Sequence, residues 1–321
     1  MCKNIYIKWC TVLIKLNFMK KDVNIRQQIV RNYYEHLKKK CQGSYINSVN
    51  NWCDLNLDID HLFPDKKNEK LTTSFEKIVT ADLEKLLSIR DYIDSNKVKM
   101  TNALKRYLLK TVYQCNIDRL AFVRDLGVTV CPYCNRNFIN SSSRKTSCQL
   151  DHFINKSDYP ILSVSFYNLV PVCGSCNHKK GSKDFSYSPY DNTIEIDDML
   201  TFSYDIKGVE YLSDLSKLQI LIDLGLNKIL DKNIKILELE ELYQIHKDVV
   251  QELLIKKEIY IEEYQEQLFR EFRGVFASKQ ELEQLIIGAY VESENYGKRP
   301  LSKMVSDIGK ELGIVKGNIK I

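Results

Sequence analysis

Two Cys-x-x-Cys pairs, Cys131/Cys134 and Cys173/Cys176, bracket a stretch that also holds Asp151-His152, Asn168 and Asn177. Thiolates at this spacing can grip one side of a zinc ion, and a second pair completes a closed tetrahedral site with no position left for substrate. Such a zinc is structural, and the Asp, His and Asn residues between the pairs are held in place by it rather than bound to it. The alternative reading, four buried thiols, does not explain why they fall into two identical pairs.

Taken in order, Cys-x-x-Cys, Asp-His, Asn-Leu and Cys-x-x-Cys-Asn-x-x-Lys resemble the HNH endonucleases of the ββα-metal group, in the subgroup with a four-cysteine zinc knuckle. The resemblance runs from Cys131 to Lys183. Tyr159-Pro160 and Lys179-Lys180-Gly181 also resemble HNH proteins of bacterial anti-phage defence systems, of the Septu and retron-associated type. It implies a metal-dependent endonuclease that hydrolyses nucleic-acid phosphodiester bonds, with DNA favoured over RNA.

The same resemblance implies roles for individual residues. His152 matches the general base, and a neutral imidazole with an ordinary pKa of about 6.5 is largely available near neutrality. Asp151 and Asn177 match ligands of a catalytic divalent metal, and their hard oxygens suit Mg²⁺ or Mn²⁺. Asn168 matches the residue that orients His152 and braces the loop, and His178 is a rival to Asn177. Lys180, one helical turn beyond Asn177, and Lys179 are expected to hold phosphate oxygens. Relatives in defence systems imply an ATPase partner. The competing class is a non-catalytic, zinc-containing nucleic-acid-binding or adaptor protein that keeps Asp-His by chance.

The rest of the chain bounds these readings. Its 321 residues are 44% hydrophobic and 28% charged, as in a folded protein. Lys plus Arg number 47 against 42 Asp plus Glu, a net +5 too small to identify a partner by itself. Ten cysteines are too dilute for a disulfide framework, and the six outside the knuckle are read as reduced thiols of a cytoplasmic protein. The apolar segment Ile5 to Phe18 carries Lys8 and Lys15, which argues against a membrane span or signal peptide and for a β-hairpin or edge strand; Met19 is an alternative start. The second Asp-His pair, Asp60-His61, has no metal-spaced companion and is read as a polar loop.

Around the motif the expected elements are mostly helical, giving an α+β chain with a central zinc-stabilised ββα-metal module. A 3.6-residue stripe marks a helix over 24–40, stopped by Gly43. A connector with a short helix follows over 47–65, then a helix capped at Thr73 or Ser74 and another over 95–115. Gly127 ends a helix before the strand 128–130. Within the module, strands are expected at 149–153 and 165–172, with a helix from Cys176 to Gly181. Beyond it, 193–196 and 202–206 alternate like strands, and Val209 to Leu212 is expected to pair with the latter. From Ser213 the chain is expected to be helical, broken within 230–272, where a partner or a second copy is expected to dock. The expected division is 1–125, 126–188 and 189–321.

Overall fold

The computed structural model describes residues 14–41, 43–64, 72–191, 200–225 and 230–316. Residues 5–13 of the hairpin or edge strand expected over Ile5 to Phe18 lie outside the described residues, as does the strand expected at 193–196, while the described end of that first segment forms no strand and enters a 3-10 turn at Asn17–Lys20. The described chain is predominantly helical with two small antiparallel sheets, an α+β fold. It falls into two compact units, one built from residues 14–15, 128–139, 200–225 and 230–316, the other from 16–41, 43–64, 72–127 and 140–191. No described helix is long and apolar enough to cross a membrane.

The second of these units carries the candidate site. Asp22 caps the helix Val23–Lys40, which buries Val30, Tyr34 and Leu37 along one stripe. Gly43 opens a further helix, Gly43–Asn56, rather than only stopping the first. The connector expected there is thus a full helix, because Ile46, Val49 and Cys53 recur at helical spacing and are buried. Its loop-forming Asn50 is used in tertiary structure, accepting a hydrogen bond from Phe75 N at 2.9 Å. Thr73 caps Ser74–Thr80 and Asp82 caps Leu83–Ser95. The helix expected over 95–115 starts later, at the Thr101 cap, and passes from Asn102–Arg106 into a π-helix, Tyr107–Asn116.

Asp118 caps Arg119–Leu126, and Gly127 closes it at φ +68°, a left-handed backbone that glycine adopts without steric cost. Strands β1 (Gln149–His152) and β2 (Leu169–Val172) then pair antiparallel, with Asp151 opposite Val170 and His152 opposite Leu169. The helix Gly174–Lys180 completes the ββα unit and stops at Gly181, φ +52°. Phe18, Tyr33, Phe122, Phe166, Tyr167 and Tyr190 form an aromatic cluster, with ring centroids 5.0 to 6.3 Å apart for the contacting pairs.

In the other unit, β3 (Thr201–Ile206) pairs with β4 (Leu218–Asp223), not with residues 209–212 as the alternation suggested. Val209–Leu212 is a 3-10 turn with Val209 88% exposed, whereas Leu218 and Ile220 bury one face of β4. Helicity therefore resumes only after β4. The stretch 230–272 is a series of short helices, Asp231–Leu237, Leu239–Tyr243, Lys247–Ile259 and Glu262–Glu271. Asp307 on the helix Ser302–Glu311 accepts from Phe202 N at 3.0 Å and pairs with buried Lys303, tying that helix to β3.

Gly127→Ala leaves the surroundings unclashed but forces a β-carbon into the left-handed region. It is expected to lower stability by about 1–2 kcal/mol, read as a shifted urea midpoint at unchanged slope.

Candidate active site

The sulfurs of Cys131, Cys134, Cys173 and Cys176 all lie within 4.8 Å of one another. A tetrahedral zinc with sulfurs at about 2.3 Å would set them about 3.8 Å apart, so this donor set fits the ion. Among the described residues no other group of three or more His, Cys, Asp or Glu side chains could hold a metal.

The first pair sits in a tight turn. Asn135 N donates to Cys131 O at 2.9 Å, Cys131 N donates to Asn137 O at 2.9 Å, and Asn135 takes φ +45°. Asparagine tolerates that conformation better than most residues. Arg136 N and Asn137 Nδ2 approach Cys134 Sγ at 3.4 and 3.9 Å, the kind of outer hydrogen bonding that steadies a thiolate. The Asn135 side chain anchors the turn, donating to Tyr296 O at 2.9 Å and accepting from Lys303 N at 3.1 Å. Tyr243 OH donates to Cys134 O at 2.6 Å. Sequence reasoning passed over Asn135, and its place directly after Cys134 was the only signal.

Asp151 and His152 occupy the end of β1, and both are buried. His152 Nε2 lies 2.9 Å from Ser163 O. A carbonyl can only accept, so Nε2 carries the proton and Nδ1 keeps the lone pair of the neutral ring, a tautomer assigned from its partner. Burial, followed by the positive charge of Lys156, pushes the imidazole pKa down to about 3, with the Ser163 carbonyl opposing the shift and Lys180 adding to it. The ring is neutral, as a base must be before it acts.

Lys180 does not reach outward to a phosphate here. Its ammonium is 1% exposed, lies 3.2 Å from Asp151 Oδ2 and donates to His152 O at 2.8 Å. Asn168 is fully buried and closes the intervening loop: Oδ1 accepts from Ile154 N at 2.6 Å, while Nδ2 donates to Ile154 O at 3.1 Å and Leu162 O at 2.8 Å. The loop it closes presents the Ser163 carbonyl to His152. Asn177 stands on the helix one turn before Lys180, and its Nδ2 donates to Gln149 Oε1 at 2.5 Å. Asp151, His152, Asn168 and Lys180 thus share one polar network, and Asn177 joins the start of the same strand.

The remaining sequence candidates sit apart from that network. His178 and His61 are exposed, and Lys179 is half-exposed. Tyr159, named with the motif, donates its OH to the Asp94 carboxylate at 2.8 Å. Tyr113 and Ser163, by contrast, touch the site without having been singled out. The Tyr113 ring meets His152 edge-on with centroids 4.5 Å apart, and its OH donates to Leu150 O at 2.9 Å. No spacing rule links Tyr113 to a strand 37 positions later.

A ββα unit beside two Cys-x-x-Cys pairs defines the class, and residues 131–183, about a sixth of the chain, match the family model described as HNH endonuclease. The likeness to HNH endonucleases is confined to this stretch. The chain is also 35% identical over 81 residues to the Septu protein PtuB of Bacillus thuringiensis, a match that covers 24% of this chain and 30% of that relative. The chain therefore spans less than a third of the length of the curated relative it matches. No solved structure matches the chain significantly.

Elemental analysis of the purified protein is expected to find one zinc per chain, with Cys173→Ser losing both metal and thermal stability. Lys180→Met removes the buried ammonium that pairs with Asp151, at an expected cost of about 3–5 kcal/mol in urea unfolding. Adding Asp151→Asn to that variant is expected to recover a measurable part of the loss.

Proposed function

We propose that this protein is a metal-dependent endonuclease that hydrolyses nucleic-acid phosphodiester bonds, DNA in preference to RNA, in the cytoplasm and in the service of anti-phage defence. The observation that carries the reading is the hydrogen bond from His152 Nε2 to Ser163 O, which leaves Nδ1 to take a proton from the attacking water. Asn168 serves by fixing the loop that carries Ser163.

Asp151 and Asn177 are the proposed holders of Mg²⁺ or Mn²⁺. Two protein oxygens are enough for such an ion, whose shell is otherwise completed by water and substrate phosphate. When bound, the metal supplies charge stabilisation at the phosphate and the leaving oxygen. Zinc in the four-cysteine site is structural. Lys179 is proposed to contact nucleic acid, and Lys180 to act through its hold on Asp151.

The nuclease module is proposed to be residues 126–188, flanked by 1–125 and 189–321. An ATPase, or a second copy of this chain, is proposed to dock on the helices between Leu230 and Phe272. Those helices expose Ile245, Ile255, Ile259 and Tyr264. The name of the PtuB relative supports a place in a Septu-type system.

One observation favours the second reading, a zinc-containing nucleic-acid-binding or adaptor protein that does not cut: the Asp151 carboxylate is already neutralised by Lys180. Plasmid DNA and RNA incubated with the protein in Mg²⁺ or Mn²⁺ decide between the two. The nuclease reading expects cleavage that EDTA stops and that His152→Ala reduces by about 10²–10⁴-fold. Binding with no cleavage in either metal, with the partner present, establishes the second.

A further inference from the structure

The cation expected to meet the phosphate, Lys180, is buried against Asp151, so the site needs its positive charge from elsewhere. Tyr113 shows where. Its hydroxyl is fixed on Leu150 O, and the edge-on contact of its ring with the His152 imidazole places it beside the proposed base. Against that same ring lie Lys156 Nζ, 4.5 Å from the centroid, and the Arg119 guanidinium, 5.9 Å from it. Lys110, on the π-helix that carries Tyr113, is exposed and adds positive charge at Lys156.

These cations differ from the other inward-facing lysines of the chain. Lys180 and Lys303 are buried and each is matched by an aspartate, Asp151 and Asp307. Among the described residues, neither Lys156 nor Arg119 makes an ion pair, although both are half-buried. The carboxylate with most influence on Lys156 is Asp151, and Lys180 already holds it. A π face offsets only part of the lost hydration of a cation. Two half-buried cations with no carboxylate of their own, one side chain away from the proposed base, make a place for an anion brought from outside.

Resting on the endonuclease reading, we infer that Lys156 and Arg119, steadied on the ring of Tyr113, bind the backbone phosphates of the nucleic acid next to the bond that His152 attacks. They would be phosphate-binding residues, with Tyr113 a positioning residue that sets both them and the imidazole. A diester phosphate is the anion such a reaction delivers, and it takes a lysine or arginine at this distance from the reacting atoms without further specificity for base.

The test uses the full chain carrying His152→Ala, so that nucleic acid is bound without being cut. Fluorescence anisotropy with a labelled DNA duplex, and separately with an RNA of the same sequence, is followed across a salt series. Lys156→Ala and Arg119→Ala are each expected to weaken binding about tenfold and to flatten the slope of log affinity against log salt by about one. Lys156→Arg is expected to restore both. Should an alanine variant lose its melting transition, Lys156→Gln and Arg119→Gln, which keep the side-chain length, replace it.

Unchanged affinity and slope in folded variants overturn the inference, and the endonuclease reading survives if the chain with His152 intact still cuts. A protein that neither binds nor cuts DNA or RNA in any divalent metal overturns both.

Discussion

Two strands of four residues each cannot hold themselves together in water, and the ββα unit depends on how that shortfall is met. Leu150 and His152, two apart on β1, turn their carbonyls away from β2, and each receives a side-chain donor: Tyr113 OH at 2.9 Å and Lys180 Nζ at 2.8 Å. On β2, Leu169 O receives Tyr190 OH at 2.8 Å. A paired carbonyl contributes only about 1 kcal/mol net, but a buried one left bare costs about 1–3 kcal/mol, so these donors are conditions for the hairpin. The residues that secure β1 therefore also fix the backbone on either side of Asp151.

From this constraint the electrostatics follow in sequence. An ammonium brought in to satisfy His152 O is itself buried and requires a carboxylate, and Asp151 is the neighbour that supplies it. With Lys180 on one side and Lys156 acting from another, a protonated imidazole would add a further positive charge in a buried place. Neutral His152 is the outcome, with its tautomer set by the Ser163 carbonyl. Asn168 then matters for a reason that is not electrostatic. With three hydrogen bonds to the loop backbone it fixes where that carbonyl stands.

What could be read from the sequence divides along the same line. The cysteine pairs, the Thr73 cap and Gly127 were legible because zinc bite, capping and left-handed backbone are settled within a few residues. Lys180 was placed on the correct helix and the same face as Asn177, yet helical spacing does not say whether that face looks at water or at β1. The partner of β3 was misplaced for a related reason. Alternation marks a strand but does not choose between two candidate mates, and residues 209–212 lacked the burial that Leu218 and Ile220 provide.

Tyr113 carried a signal that a 3.6-residue template conceals. The buried residues of its helix are Tyr107, Leu108, Val112 and Tyr113, a repeat of five rather than of three and four. A ladder of i to i+5 bonds lines up Tyr107 with Val112 and Leu108 with Tyr113, whereas an α-helix would rotate Tyr113 away from that face. π-Helices are rare and mostly confined to single turns within α-helices, so ten residues wound this way call for compensation from elsewhere in the fold. The compensation visible here is the burial of those four side chains together with the Tyr113 hydroxyl on Leu150 O. The unusual winding and the support of the Asp-His strand meet in one residue: the face this winding buries ends in Tyr113, whose hydroxyl reaches β1.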